Sequence, residues 1–188
     1  MENNARFRIP IDAEVELRIL EDWDAEELFQ LIERNRAYLR QWLPWVDYET
    51  SIEDSRSFVQ RTLQQYTNSE SFTMGMRFQG RLVGVISYHT INWPSRHVEI
   101  GYWLAAEFQG QGLMTRACRA LVDYAFAKLQ LNRVEIRCAT GNLRSQAVPE
   151  RLGFTREGTL REGEWLYDHF VDLIVYSMLA REWPNERA

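Results

Sequence analysis

The sequence has few of the residues that build metal sites and disulfide scaffolds. Its 188 residues include two cysteines and three histidines. Cys118 and Cys138 lie in a predicted helix and a predicted strand, without the spacing of zinc ligands, and the histidines are scattered along the chain. We therefore predict no metal site, and we interpret both cysteines as buried free thiols in a reducing compartment.

Long apolar runs and an excess of positive charge are also absent. No stretch approaches the roughly 18 consecutive apolar residues of a membrane-spanning helix. A polar, acidic segment follows Met1 in place of a secretory signal. The net charge is −5, which disfavours nucleic-acid binding because domains that bind nucleic acids usually carry a basic face. We expect a cytoplasmic protein that binds neither nucleic acid nor membrane.

The chain does contain enough apolar sequence for one sizeable core. Hydrophobic residues make up 45% of it and aromatic residues 13%. This composition, at this length, is typical of a single globular domain. We predict an N-terminal arm over residues 1–13, one domain over residues 14–180 and a C-terminal tail over residues 181–188.

Hydrophobic periodicity predicts an α/β (α+β) fold, with about four helices flanking a mixed, mostly antiparallel sheet. Two amphipathic helices follow capping residues, the first after Asp22 or Asp24 and the second after Ser51. A third helix covers residues 115–129. Strands are predicted over residues 15–20, 72–78, 82–91, 98–104, 133–138, 154–161 and 165–179.

A short fourth helix has readable ends. Pro149 has no N–H to donate and is best tolerated within a first turn, so we predict a start near Ser145 or Gln146. Gly153 suits a left-handed stop, with Phe154 folding back against the helix. Asn142 and Ser145 then lie at the mouth of this helix.

A glycine-rich turn joins the strand over 98–104 to the third helix. It reads Phe108-Gln109-Gly110-Gln111-Gly112-Leu113-Met114-Thr115. Free backbone N–H groups at the positive end of the helix dipole suit a pyrophosphate. The turn lacks the lysine and spacing of a P-loop and the third glycine of a dinucleotide-binding turn. By itself it is a weak indication of an anion site.

The order of the elements and six motifs resemble the GNAT acetyltransferase superfamily. Its acetyl-CoA motif, Gln/Arg-x-x-Gly-x-Gly/Ala, matches Gln109–Met114 except at Met114, where a larger residue is familiar in the RimJ/RimL-like ribosomal-protein N-acetyltransferases. The resemblance extends over about residues 14–180. The other five motifs are Trp42–Trp45, Gly84–Ser87, Glu99–Leu104, Pro149–Phe154 and the segment Glu164…Asp168…Asp172.

The resemblance implies a single GNAT-like domain that uses acetyl-CoA as co-substrate. The N–H groups of Gln111–Met114 are expected to bind the pyrophosphate, and the pantetheine arm is expected to lie beside the strand over 98–104. A free N–H near Trp103 or Leu104 is implied to polarise the thioester carbonyl. The implied cofactor-binding residues are Trp103, Leu104, Gln109, Gly110, Gln111, Gly112, Leu113, Met114, Thr115 and Asn142.

The resemblance further implies that Ser145 protonates the leaving thiolate. The alternative is that Ser145 only caps the short helix. Many relatives outside this branch use a tyrosine at this step, and we find no tyrosine in register.

Two carboxylates compete for the role of base. The resemblance places Glu164 over the acceptor, at a turn before the last strand. Glu99 interrupts an apolar strand, so it should carry a raised pKa or a partner. Glu164 as an ordinary solvated residue, Glu99 as a structural acceptor, and water relayed from backbone groups are the alternatives.

The acceptor side is less defined by the sequence. Trp42 and Trp45 either pack in the core or wall a cleft, and Asp168 and His169 are candidates to orient the acceptor. An α-amine, with a pKa near 7.7–8.0, is about one-tenth neutral at pH 7, far more than a lysine amine at about 10.4. This difference favours a protein N-terminus or a small amine of low pKa.

Three functions follow from these residues. The leading hypothesis is an Nα-acetyltransferase acting on a ribosomal protein or a similar N-terminus. A second is acetylation of a small amine such as a polyamine, an amino acid or an aminoglycoside, for which Glu162, Glu164, Asp168 and Asp172 supply acid. A third is a non-catalytic acyl-CoA-binding module. A homodimer is left open.

Overall fold

The computed structural model of the protein describes residues 7–184. Within that range the chain forms eight strands in one sheet and four α-helices. The strands are β1 Arg8–Pro10, β2 Val15–Ile19, β3 Phe72–Phe78, β4 Arg81–Tyr88, β5 His97–Leu104, β6 Arg133–Ala139, β7 Thr155–Leu166 and β8 His169–Leu179. The helices are α1 Ala25–Leu39, α2 Ile52–Thr67, α3 Leu113–Ala127 and α4 Leu143–Arg151.

The sheet has the order β1-β2-β3-β4-β5-β6-β8-β7. Every neighbouring pair is antiparallel except β5 and β6, which run parallel. The predicted mixed, mostly antiparallel sheet with four helices is therefore confirmed. The parallel pairing extends only from His97 and Arg133 to Glu99 and Glu135. Beyond it the two strands separate, and we call the opening between residues 100–104 and 136–139 the wedge.

Two apolar clusters cover the two faces of the sheet. Successive strand residues point to opposite faces, so Val85 packs in one cluster and its neighbour Ile86 in the other. Helices α1 and α2 cover the first face, for example through Leu28. Helices α3 and α4 cover the second face through Leu121 and Val148. The wedge lies between these two layers of helices.

Both ends of the described chain belong to the fold. Phe7 stacks on Tyr66 with ring centroids 6.0 Å apart and meets Tyr124 edge-on at 5.2 Å, and β1 pairs with β2. Trp183 is 6% exposed, and its Nε1 donates to Asp123 at 2.6 Å. The folded domain thus begins before residue 14 and continues past residue 180. Residues 1–6 and 185–188 of the predicted arm and tail lie outside the described residues.

The end of the sheet differs from the predicted strands over 154–161 and 165–179. Strand β7 continues to Leu166 and contains an irregularity between Leu160 and Glu164. There Glu162 has a positive φ of 51°, and its N–H donates to Asp172 Oδ1 at 2.7 Å. Residues 162–164, which the sequence analysis left between two strands, lie within β7. The irregularity is a bulge, because β7 resumes its pairing with β8 after it. Glu164 is therefore inside β7, opposite Val171, and not at a turn.

The cysteines agree with the sequence analysis. Cys118 and Cys138 are both buried and free, as predicted. Among the described helices, none combines the length and the apolar character needed to span a membrane.

We expect Trp183→Ala to lower the free energy of unfolding by about 3–5 kcal/mol, because the large buried side chain leaves a cavity. Trp165→Ala is the matched control, since Trp165 is 51% exposed. It should cost at most about 1.5 kcal/mol, the upper value for its aromatic pair with Phe170. Denaturant titration measures both, and equal losses would show that Trp183 adds nothing to the core.

Candidate active site

Two clefts meet at the wedge. The larger has a volume of about 1020 Å³ and the smaller about 630 Å³. Both are lined by Trp42, Tyr102, Trp103, Asn142 and Ser145. The arrangement allows a ligand in one cleft to touch a ligand in the other beside Ser145.

The glycine-rich turn forms one wall of the larger cleft. Gly110 and Gly112 have positive φ values of 76° and 70°, and Gly112 is the N-cap of α3. The N–H of Arg116 donates to the Gly112 carbonyl and makes the first hydrogen bond of α3. The N–H groups of residues 113–115 therefore have no helical partner. All the predicted cofactor-binding residues line this cleft: Trp103, Leu104, Gln109, Gly110, Gln111, Gly112, Leu113, Met114, Thr115 and Asn142.

Arginines make the same cleft electropositive. Arg116, Arg144 and Arg151 line it. Arg144 Nη1 donates to Gln109 Oε1 at 2.6 Å, and Arg116 pairs with Asp12. Guanidinium groups next to free helix N–H groups are a suitable environment for phosphate oxygens.

The edge of β5 offers backbone hydrogen-bonding groups to the wedge. Ala105 N–H donates to Val83 O at 2.9 Å, and His89 N–H donates to Glu99 O at 2.8 Å. Alternate residues of an antiparallel strand bond to the same neighbour, so the odd-numbered residues of β5 bond to β4. Tyr102 and Leu104 therefore direct their N–H and C=O groups towards the wedge. Of the two residues predicted to supply a free N–H, this alternation favours Leu104 over Trp103.

Helix α4 begins earlier than predicted. Asn142 is its N-cap and accepts a hydrogen bond from Ser145 N–H at 3.1 Å. Pro149 consequently lies inside the helix and not in its first turn. The carbonyl that an N–H at position 149 would have bonded belongs to Ser145, and it accepts from Tyr102 Oη at 2.9 Å. Ser145 is thus not the cap. The left-handed stop at Gly153, with φ 76°, is confirmed.

Ser145 contacts two groups that the sequence analysis did not identify. Its Oγ lies 3.2 Å from Tyr102 Oη and 3.1 Å from Cys138 Sγ. Burial raises the pKa of Tyr102 well above its ordinary value and raises the pKa of Cys138 to about 11. Both groups are therefore neutral near pH 7. The available sequence signal was the alternation of β5, which puts Tyr102 on the same face as Ile100, towards α4.

Aromatic side chains wall the smaller cleft. Trp42, Trp45, Trp103 and Phe58 line it. Trp45 and Trp103 have ring centroids 6.2 Å apart, and both pack against the apolar cluster under α1 and α2. Trp45 thus has the core-packing role and the cleft-lining role at once, whereas Trp42 lines both clefts.

The two candidate bases differ in their partners. Glu99 Oε2 lies 3.3 Å from Arg137 Nε, and its Oε1 lies 3.5 Å from His89 Nδ1. The carboxylate of Glu164 makes no hydrogen bond or ion pair with any residue in 7–184. Burial, followed by the nearby charge of Glu99, raises the pKa of Glu164, and His89 opposes this shift. Both acids line the smaller cleft, but Glu164 is the better proton acceptor because its oxygens are uncommitted.

Asp168 lies in the turn between β7 and β8, and His169 is the first residue of β8. Neither residue lines a cleft. Asp168 Oδ1 is 2.7 Å from His169 Nδ1, and the Asp168 side chain is 89% exposed. This hydrogen bond lowers the pKa of Asp168. The structure therefore separates this pair from Ser145 and Glu164.

Tyr167, in the same turn, joins the two loops beside the smaller cleft. Its Oη donates to the Leu43 carbonyl at 2.6 Å, and Arg40 Cζ lies 4.0 Å from its ring centroid. The hairpin of β7 and β8 is thereby held against the segment that carries Trp42. No sequence motif indicated this contact.

Metal ligands are not grouped anywhere in residues 7–184. No cluster of three or more histidine, cysteine or acidic side chains there has the geometry to hold an ion.

Known proteins similar to this chain include acetyltransferases named for ribosomal proteins. The model of the acetyltransferase (GNAT) domain matches residues 14–155. YdaF of Bacillus subtilis (strain 168), provisionally named a ribosomal N-acetyltransferase, is 41% identical over 182 residues, which cover 96% of this chain and 100% of YdaF. The ribosomal-protein-serine acetyltransferase of Escherichia coli (strain K12) is 32% identical over 171 residues, covering 91% of this chain and 96% of that protein.

A solved structure gives the same result. RimL, described as ribosomal L7/L12 alpha-N-protein acetyltransferase, in complex with coenzyme A, superposes with a TM-score of 0.89 at 32% identity. The match covers 92% of this chain and 98% of that chain. The similarity therefore extends over nearly the whole fold.

Proposed function

This chain belongs to the GNAT family and is an N-acetyltransferase that uses acetyl-CoA, and we propose that its acceptor is the α-amine at the N-terminus of a ribosomal protein. Relatives named for ribosomal-protein-serine acetylation and for L7/L12 α-N-acetylation support this acceptor. Such an acceptor also locates the reaction in the cytoplasm. The observation that carries the proposal is the junction of the two clefts at Ser145.

The larger cleft is suited to the donor. The free N–H groups of Leu113, Met114 and Thr115 bind the pyrophosphate, assisted by Arg144. The pantetheine arm takes the place of the missing strand partner in the wedge, where Leu104 offers an N–H to the thioester oxygen. A fixed donor aimed at a developing negative charge is worth about 3 kcal/mol. Ser145 donates a hydrogen bond to the leaving sulfur.

The smaller cleft is suited to a cationic amine that must lose a proton. The amine passes between the aromatic walls to the wedge, and Glu164 receives its proton directly or through water. About one-tenth of an α-amine is already neutral at pH 7, so a carboxylate of modestly raised pKa is a sufficient base. A contact of Asp168 or His169 with acceptor residues beyond the first stays a prediction.

A polyamine acceptor is less well supported. Of the acids in the segment 162–172 that favoured it, Glu164 alone lines the smaller cleft. Asp172 instead accepts the N–H of Glu162, so these acids do not form one acidic groove.

A direct test of the acceptor measures coenzyme A release from acetyl-CoA. We expect release with a peptide that begins with a free N-terminal serine, because about one-tenth of its α-amine is already neutral at pH 7 and Glu164 accepts the proton of the remainder. The matched control is the same peptide with a formylated N-terminus and one lysine, and it should give no release. Release with spermidine alone would establish the small-amine alternative. No release with any amine would leave an acyl-CoA-binding module.

The glycine-rich turn is tested by Gly112→Ala. A side chain at φ 70° strains the turn and displaces the N–H groups that bind pyrophosphate, so we expect the Kd for coenzyme A to rise at least about 10-fold, equivalent to about 1.4 kcal/mol. Gly80→Ala is the control: Gly80 has φ 80° and equally open surroundings in the β3–β4 turn. Calorimetric titration should find unchanged binding in Gly80→Ala. Equal losses in both variants would contradict the assignment.

The role of Glu164 predicts a pH dependence. Its pKa lies above the ordinary value of 4.5, so ionised base is lost as the pH falls through that raised pKa. Because Glu164 takes its proton from the cationic amine, we expect log kcat/KM of the parent enzyme to fall with slope one only below that pKa. In Glu164→Gln, whose rate is lower by about 100-fold, the fall with slope one should begin at the higher pKa of the amine. Glu162→Gln, an exposed neighbour, should keep the parent profile. A parental pH profile in Glu164→Gln would assign the base elsewhere.

A further inference from the structure

Tyr102 has no part in the transfer described above, although it makes two polar contacts with Ser145. Its Oη lies 2.9 Å from the Ser145 carbonyl oxygen and 3.2 Å from Ser145 Oγ. A carbonyl only accepts, so the single phenolic proton of Tyr102 is directed to it. Ser145 Oγ then donates to Tyr102 Oη, and the S–H of Cys138 is left to donate to Ser145 Oγ at 3.1 Å.

Pro149 makes this arrangement necessary. In a regular helix the N–H at position 149 bonds the carbonyl at position 145, and proline has none. The buried carbonyl needs another donor, and Tyr102 supplies it from β5. Burial raises the pKa of Tyr102 well above its ordinary value, so its proton remains in place over the working pH range.

We propose that Tyr102 is a positioning residue that acts through Ser145, an inference that rests on the proposed function. Tyr102 of β5 meets Ser145 of α4 beside the wedge, where β5 and β6 no longer pair. Their two hydrogen bonds hold α4 against β5 and hold the Ser145 side chain in one of its three staggered rotamers. Ser145 Oγ is thereby kept between the two clefts. Its proton turns to the leaving sulfur when charge develops there, because an ionised acceptor is stronger than a phenol.

Removing the phenolic hydroxyl has two separable effects. Tyr102→Phe releases the Ser145 side chain and also leaves the Ser145 carbonyl without its donor. In Tyr102→Phe with Pro149→Ala, the alanine N–H returns the helical hydrogen bond to that carbonyl. The double variant therefore repairs the helix without restoring an acceptor for Ser145 Oγ.

The experiment measures kcat, the KM for acetyl-CoA and Tm for five variants with an N-terminal peptide as acceptor: Tyr102→Phe, Ser145→Ala, their combination, Pro149→Ala, and Tyr102→Phe with Pro149→Ala. We expect Tyr102→Phe to lower kcat by about 10- to 100-fold, with KM changed less than about 2-fold. The combination with Ser145→Ala should have the kcat of Ser145→Ala alone, since the residues act as a unit. The loss of Tm in Tyr102→Phe should be about 2–4 °C. In Tyr102→Phe with Pro149→Ala this loss should be recovered, while kcat stays low.

Each other outcome overturns a specific claim. Multiplicative losses in the combination of Tyr102→Phe and Ser145→Ala would show that Tyr102 acts independently of Ser145. Recovery of both kcat and Tm in Tyr102→Phe with Pro149→Ala would reduce Tyr102 to a structural donor. A low kcat in Ser145→Ala with a parental kcat in Tyr102→Phe would reject the positioning role alone. A parental kcat in Ser145→Ala would reject the role of Ser145 in the proposed function.

Discussion

The early end of the parallel pairing between β5 and β6 is the constraint on which the site depends. Pairing stops at Glu99 and Glu135, so the strand edges beyond it present backbone groups without a sheet neighbour. Polar backbone groups away from water need partners, and an extended ligand can provide them. Both clefts open onto this gap. A break in the sheet, and not any single side chain, creates the place where the two clefts meet.

Different interactions hold the two ends of the wedge. At the closed end the buried Glu135 accepts from Arg133 at 2.7 Å and from Arg137 at 2.6 Å. Burial opposes its ionisation, but the two arginines outweigh this effect and lower its pKa. At the open end, neutral groups replace charges, and Tyr102 of β5 bonds to Ser145 of α4. Because these donors are neutral, they add no charge of their own to this end of the wedge.

Local patterns predicted the parts of the fold that depend on nearby residues. The amphipathic helices, the cap at Ser51 and the left-handed glycine after α4 follow from sequence spacing and are confirmed, as is the GNAT resemblance. The errors have a different cause. The lack of an N–H in Pro149 predicted that it lies in the first turn of α4. The donor that makes Pro149 tolerable inside α4 is the hydroxyl of Tyr102 on strand β5. Likewise, the bulge in β7 depends on Asp172 of the facing strand.

The sequence by itself determined the family and the glycine turn that begins α3, because these depend on local order along the chain, and it identified residues that line the larger cleft. Only the tertiary structure decided which groups touch Ser145, and that Glu164 is uncommitted whereas Glu99 is paired with Arg137. It also placed Asp168 and His169 outside both clefts. The physical reason is that hydrogen-bond partners and burial are set by residues distant in sequence, which strand register and helix packing bring together.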